Sequence, residues 1–171
     1  YVVNAQVRTI ESCQSGALTC SVLATYDRHM LIVDSSTIRG ATYTAVSLAA
    51  PGSRISRSLV DTAGQVSSYP GVLLGRATLA ESTTVRFSRG TGVQIGGSVT
   101  APADTIRLRG VQIQNSGGAG LHAEGGFLLG DSGSVTLSGN AYPFYGYIDN
   151  FATLARDSLQ QVKFLGNTDD V

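Results

Sequence analysis

Gly92-Val93-Gln94-Ile95-Gly96-Gly97-Ser98-Val99 decides how this chain is read. Its first four residues follow a rule: small, apolar, any, apolar. The rule returns at Ala17-Leu18-Thr19-Cys20, Ala45-Val46-Ser47-Leu48, Gly71-Val72-Leu73-Leu74, Gly120-Leu121-His122-Ala123 and, more loosely, Gly146-Tyr147-Ile148-Asp149. The small residues stand at 17, 45, 71, 92, 120 and 146, so they are 28, 26, 21, 28 and 26 apart. A sustained period of this size marks a solenoid of stacked turns.

The phrase has a first half. A β-branched aliphatic residue precedes each small one: Ile10, Ile38, Val60, Val85, Val111, Val135 and, in a final partial repeat, Val162. Val85-Arg86-Phe87 and Val93-Gln94-Ile95 alternate with period two, the strand signature. A third short apolar segment often comes first, as in Leu31-Ile32-Val33 and Ile106-Arg107-Leu108. Two or three short strands in 21–28 residues leave no room for a helix in each repeat. The period is also too short for a propeller blade of roughly 40–50 residues. The expectation is an all-β, right-handed parallel β-helix of about six coils, occupying residues 1–171 as one domain. Each coil would bury its apolar side only against its neighbours. The last turn is incomplete, ending nine residues after Val162, which predicts a segment of a longer rod or an end covered by a partner.

Composition agrees. Glycine makes up 21 of 171 residues, about 12% against the ~7% of average chains, as tight corners require. Net charge is zero and charged residues are 14%, which argues against a nucleic-acid partner. No run of 18 apolar residues exists, so no membrane span is expected. Cys13 and Cys20 lie seven apart on either side of Gly16. They are a disulfide candidate across one corner, implying an oxidising compartment; the other reading is two buried reduced thiols. Two thiols without a second pair make no metal site.

The chemistry-bearing residues are few. The position after each aliphatic reads Glu11, Arg39, Asp61, Arg86, Gln112, Thr136, Lys163. Stacked coils would pair Glu11 with Arg39 and Asp61 with Arg86, a ladder of compensated charges and not a basic stripe. The middle position of the small-apolar-any-apolar phrase faces outward and reads Thr19, Ser47, Leu73, Gln94, His122, Ile148. His122 and the following Glu124 are binding candidates there; with Asp149 of the next coil they would form the only candidate catalytic edge. Asp27, Arg28 and His29 lie in an excursion in one of the two longest repeats, a loop on a rigid scaffold. Tyr142, Phe144, Tyr145, Tyr147 and Phe151 crowd five aromatic residues into ten positions. They read either as a plug filling a wider turn or as an exposed binding surface. No paired-carboxylate motif, nucleophile elbow, phosphate loop or cofactor motif is present, and no cofactor is expected.

In texture the repeat resembles the right-handed β-helices of the pectin-lyase-like superfamily. The stretches Gly92–Val99 and Ser134-Val135-Thr136-Leu137-Ser138-Gly139 look like passenger domains of pertactin-type bacterial autotransporters. The resemblance spans about Ile10 to Asn167. It implies a secreted or cell-surface scaffold, adhesin-like and non-enzymatic, that binds a protein or a cell-surface polysaccharide through loops and flat faces. The same texture occurs in polysaccharide-cleaving enzymes and in phage tailspikes. That alternative implies polysaccharide binding or cleavage and, for a virion tail, a trimer. The clusters of acids that mark such enzymes are not identifiable in this chain.

Overall fold

The computed structural model describes residues 2–3, 6–10, 21–24, 30–65, 69–96, 106–124, 127–129, 135–146 and 162–168. Nineteen short strands fall into three parallel sheets. The first holds β1 (Val2–Val3), β4 (Ile32–Asp34), β7 (Arg54–Ser56), β10 (Leu79–Glu81), β13 (Ile106–Arg109) and β16 (Phe127–Leu129) in that order. The second holds β2 (Gln6–Ile10), β5 (Thr37–Ala41), β8 (Leu59–Asp61), β11 (Thr84–Arg86), β14 (Gln112–Gln114), β17 (Val135–Ser138) and β19 (Val162–Leu165). The third holds β3 (Ser21–Ala24), β6 (Thr44–Leu48), β9 (Val72–Leu74), β12 (Val93–Ile95), β15 (Ala119–Ala123) and β18 (Tyr142–Gly146). Strands pair with the strand three further along the chain, except β17, which pairs with β19. That is the topology of a parallel β-solenoid, with no helix among the described residues. About six coils were expected. Four consecutive turns, β4–β6 through β13–β15, have all three of their strands described, and strands before and after continue the sheets.

The inward side chains form columns. Val33, Ile55, Ala80 and Leu108 line the first sheet, and Ile38, Val60, Val85, Ile113 and Leu137 line the second. The third sheet contributes two columns, Val46-Val72-Val93-Leu121 and Leu48-Leu74-Ile95-Ala123. All are buried, with relative exposures of 0–3%. Removing one such aliphatic side chain from water contributes about 1.5–3 kcal/mol. Because the columns are continuous, that gain needs the coil above and the coil below.

The corners explain the small residue of the sequence phrase. Between the second and third sheets the chain passes through Gly40, Thr62, Phe87, Asn115, Gly139 and Gly166, all with φ between 53° and 70°. The residue after each turns inward: Ala41, Ala63, Ser88, Ser116, Asn140 and Asn167, all buried. Ser88, Ser116 and Asn140 pack against the glycines that open the third-sheet phrase of the preceding coil, Gly71, Gly92 and Gly120. A Cβ on Gly71 would collide with Ser88 Oγ, and one on Gly92 would lie 2.7 Å from Ser116 Oγ. A Cβ on Gly120 would lie 2.7 Å from Asn140 Nδ2. The equivalent place in the preceding repeat holds Ala45, and there the corner residue is only Ala63.

At the distal end this corner becomes an asparagine ladder. Asn140 Oδ1 accepts from the Ser116 N–H at 2.9 Å, and Asn167 Oδ1 accepts from the Asn140 N–H at 3.0 Å. The freed amides donate back to the coil below: Asn140 Nδ2 to Ile113 O and Asn167 Nδ2 to Leu137 O, both at 3.1 Å. The other corner, between the first and second sheets, uses Ser35, Arg57, Ser82 and Gly110 at φ of 47–58°. After it, Ser36, Ser58 and Thr83 donate their hydroxyls to carbonyls two residues back, at 2.7–2.9 Å. Such local bonds satisfy backbone groups that the sharp turn takes out of the sheets.

Register corrects the sequence reading at three places. Arg39 is in register with Arg8, because Val7 and not Ile10 stands opposite Ile38. The third-sheet strands at the two ends are Ser21–Ala24 and Tyr142–Gly146, not the phrases at 17–20 and 146–149. In the second sheet the residues in register with Val85 are Ile113 and Leu137, two beyond Val111 and Val135, which are buried in the core as well. Ile38, Val60 and Val85 stand where expected.

Candidate functional site

The outward middle positions of the third sheet run Ala24, Ser47, Leu73, Gln94, His122, Tyr145 across successive coils. The four central residues are those expected; the ends are Ala24 in place of Thr19 and Tyr145 in place of Ile148. The flat parallel sheet brings neighbouring residues of this row to about one strand spacing, ~4.8 Å. Its distal half is polar and aromatic. The rings of His122 and Tyr145 meet edge to face with centroids 4.9 Å apart and planes at 69°. Such a pair is worth about 0.5–1.5 kcal/mol beyond its buried area.

Glu124 follows β15 at the sheet margin, its N–H held by Ile95 O at 2.9 Å. Its Oε1 accepts from Gln94 Nε2 at 3.2 Å and lies 3.8 Å from His122 Nε2. One carboxylate oxygen therefore faces both an amide and an imidazole. Gln94, His122, Glu124 and Tyr145 make one patch, with donors and acceptors at its centre and an exposed phenol ring, 63% accessible, at its edge. The arrangement can grip a polar ligand that carries an apolar face.

The aromatic crowd separates into two roles. Phe144 takes the inward register over Leu121 and packs against the core. Tyr142 and Tyr145 are both exposed. Phe144 and Tyr145, adjacent in β18, thus face opposite sides as strand pleating dictates, while Tyr142 is exposed at the start of the strand. Asp27, Arg28, His29, Tyr147, Asp149, Phe151, Cys13 and Cys20 lie outside the described residues. Among the described residues, Glu124 is the only acid in the His122 patch, and no group of three or more His, Cys, Asp or Glu is placed to hold a metal ion. No described helix is long and apolar enough to cross a membrane.

The second sheet carries the charged face. Asp61 Oδ2 lies 3.0 Å from an Arg86 guanidinium nitrogen and 3.4 Å from Arg39 Nε. The Arg86 hydrogen bond holds the Asp61 carboxyl below its ordinary range, and the same contact raises Arg86. At the corner beside the first sheet, Arg57 and Ser56 both donate to Asp34, and chiefly the Arg57 bond lowers the Asp34 carboxyl.

Sequence reading missed Phe87. It occupies the left-handed corner position that elsewhere holds Gly, Thr or Asn, at φ of 56°. That conformation costs a side-chain-bearing residue about 1–2 kcal/mol. The ring is nonetheless 49% exposed, with the Arg86 guanidinium 5.6 Å from its centroid. The signal was available: aligned corners read Gly40, Thr62, Phe87, Asn115, Gly139. Tyr43 and Tyr69, stacked edge to face at 5.0 Å beyond the same corner, were likewise not singled out.

No family model matches this chain, and neither a curated protein nor a solved structure with significant similarity to it was found.

Proposed function

We propose that this β-solenoid is a non-enzymatic binding scaffold, secreted or displayed at a bacterial surface, which engages a protein or a cell-surface polysaccharide through the outer face of its third sheet. The observation that carries this reading is the Gln94–His122–Glu124–Tyr145 patch. It aligns hydrogen-bonding groups and an exposed ring on consecutive coils of a rigid sheet. Rigid placement lowers the ordering cost of binding, and an amphipathic ring gives contact area at low entropic cost. The textural likeness to pertactin-type passengers supports a right-handed coil and the surface location. The test is binding of the folded protein to a panel of immobilised neutral glycans and extracellular proteins. Tyr145→Ala and His122→Ala should each weaken a positive interaction at least fivefold, the loss expected at the centre of an interface. Absence of binding across the panel, or binding indifferent to both variants, would refute the proposal.

The alternative is a polysaccharide-cleaving or tailspike-like β-helix, which as a virion spike would be trimeric. The proximity of His122 to Glu124 favours it, since such a pair can exchange a proton. Chain cleavage of a polysaccharide that is lost in both His122→Ala and Glu124→Ala would establish this reading.

A further inference from the structure

We infer that the distal edge of the second sheet is a docking site for one further parallel strand, supplied by a partner segment of the pattern Val-x-apolar-x-Gly-Asn. This goes beyond the third-sheet reading and does not rest on it.

The pattern comes from the corner ladder. Val135-Thr136-Leu137-Ser138-Gly139-Asn140 and Val162-Lys163-Phe164-Leu165-Gly166-Asn167 are two copies of it, stacked in register. In the lower copy every fixed residue has a use. Val135 and Leu137 are buried in the core. Gly139 takes the left-handed corner at φ of 62°. Asn140 accepts from the Ser116 N–H and donates to Ile113 O. The upper copy repeats these asparagine bonds on the lower one.

Above the upper copy the same groups stand open. β19 is the edge strand of its sheet. Phe164 continues the column of the fully buried Leu137, yet it is 46% exposed, and Leu165 beside it is 56% exposed. The Asn115 N–H donates to Ser138 O at 2.9 Å and the Gly139 N–H to Leu165 O at 3.0 Å. The equivalent Gly166 N–H has no acceptor among the described residues. Asn140 donates twice to Asn167 Oδ1, through its N–H at 3.0 Å and Nδ2 at 3.1 Å. Asn167 has no such oxygen above it among the described residues. A sheet edge with open backbone groups is a template for strand addition.

The open groups select the strand. Its inward residue must be apolar to cover Phe164. Its corner must be left-handed, as at Gly139 and Gly166, which favours glycine. The next side chain must accept from Asn167 and also donate to the Phe164 carbonyl, as Asn140 does to Ile113 O. Asparagine carries both functions, whereas aspartate only accepts. Serine at the same place does neither, for Ser116 Oγ is buried without a partner. A second copy of this chain does not meet the requirement. The opposite edge of the sheet is β2, where Ile10 stands at the asparagine position, in register with Ala41.

The test titrates the whole protein with a capped octapeptide copying residues 134–141, by calorimetry, and follows amide hydrogen exchange in parallel. The peptide should bind one to one, and exchange should slow at Phe164, Gly166 and Asn167. Peptides carrying Asn140→Ala, Asn140→Asp or Leu137→Ser should each bind at least tenfold more weakly, because each leaves a buried group or the ring uncovered. Phe164→Ser in the protein should weaken the parent peptide equally while leaving the exchange of the inner coils unchanged. No saturable binding up to about 1 mM, binding indifferent to the asparagine, or protection at β2 and not at β19 would each overturn the inference. So would self-association of the protein alone that protects Phe164 and Gly166, since the occupant would then be a second copy.

Discussion

Gly71→Ala tests the rule that writes this fold. Gly71 has an ordinary backbone conformation, so the added methyl meets packing alone. Its Cβ would collide with Ser88 Oγ and would lie 2.9 Å from Gly92 O and 3.0 Å from Val85 Cγ1. Two of these neighbours cannot easily retreat. Gly92 O accepts from Val72 N at 3.0 Å, and Val85 is buried in the second-sheet column. Overpacking of this kind costs about 1–3 kcal/mol, or about 2–4 °C in melting temperature per kcal/mol at this length. The preceding coil shows how to relieve it. There an alanine, Ala45, stands against Gly71 O, with Val60 in the column and Ala63 at the corner. Gly71→Ala combined with Ser88→Ala recreates that set of neighbours. Ser88→Ala alone should be neutral or stabilising, since Ser88 Oγ is buried without a hydrogen-bond partner. A double-mutant cycle by thermal and urea unfolding should therefore show a coupling of at least about 1 kcal/mol. A double variant no more stable than Gly71→Ala would refute the pairing of small residue with corner residue.

Asn140→Ala leaves the Ser116 N–H and the Ile113 carbonyl without their side-chain partner, at about 1–3 kcal/mol for each group that water cannot reach. Hydrogen exchange should accelerate first at Ser116 and its neighbours; uniform acceleration across the chain would argue against a local ladder. Acid should destabilise the protein in a defined window. Asp34 and Asp61 have lowered carboxyl values when folded, so the unfolded chain takes up protons first as pH falls. Their contribution is complete above the unfolded value of about 3.9 and is lost as pH drops through the lower folded values. Melting temperature should stay level from pH 7 to 5 and fall below 4, less steeply in Asp61→Asn; a fall beginning near pH 6 would implicate other groups. Phe144→Ala should cost about 3–5 kcal/mol if the ring completes the core as its register indicates, whereas Tyr142→Ala, exposed at the start of the strand, should stay within about 0.5 kcal/mol.

How much of this was legible turns on where the chain keeps its period. Ser47, Leu73, Gln94 and His122 were placed on one outward row because each follows an intact small-apolar-any-apolar phrase. The row slipped at Tyr145 because Pro143, not Gly146, occupies the small position over Gly120. A glycine further along fitted the written rule while the structure used a different residue. Ile10 misled in the same way: it is β-branched and near the right distance, but Val7 stands in register with Ile38. Spacing counts residues, and hydrogen-bond register decides which of two nearby aliphatics turns inward. The corner residues were illegible for another reason. Their requirement is relational: glycine is needed at 71 because serine stands at 88, and neither residue announces the other.

A slip of register has larger consequences for charge than for packing. Replacing Ile10 by Val7 in a column changes one aliphatic side chain for another and leaves the solenoid as it was. The same slip puts Arg8 rather than Glu11 in register with Arg39, a position of like charge where one of opposite charge was expected. In a parallel stack each outward residue meets its neighbours above and below, so an unpaired charge is felt by both coils and cannot be attributed to one local turn. The inward columns are over-determined, each aliphatic being held by several others, and they say little about what this rod does. Outward positions are under no such constraint. An expense retained there, such as a left-handed phenylalanine, has no packing to account for it. By that reasoning Phe87, which the period does not require, says more about function than Phe144, which the core does.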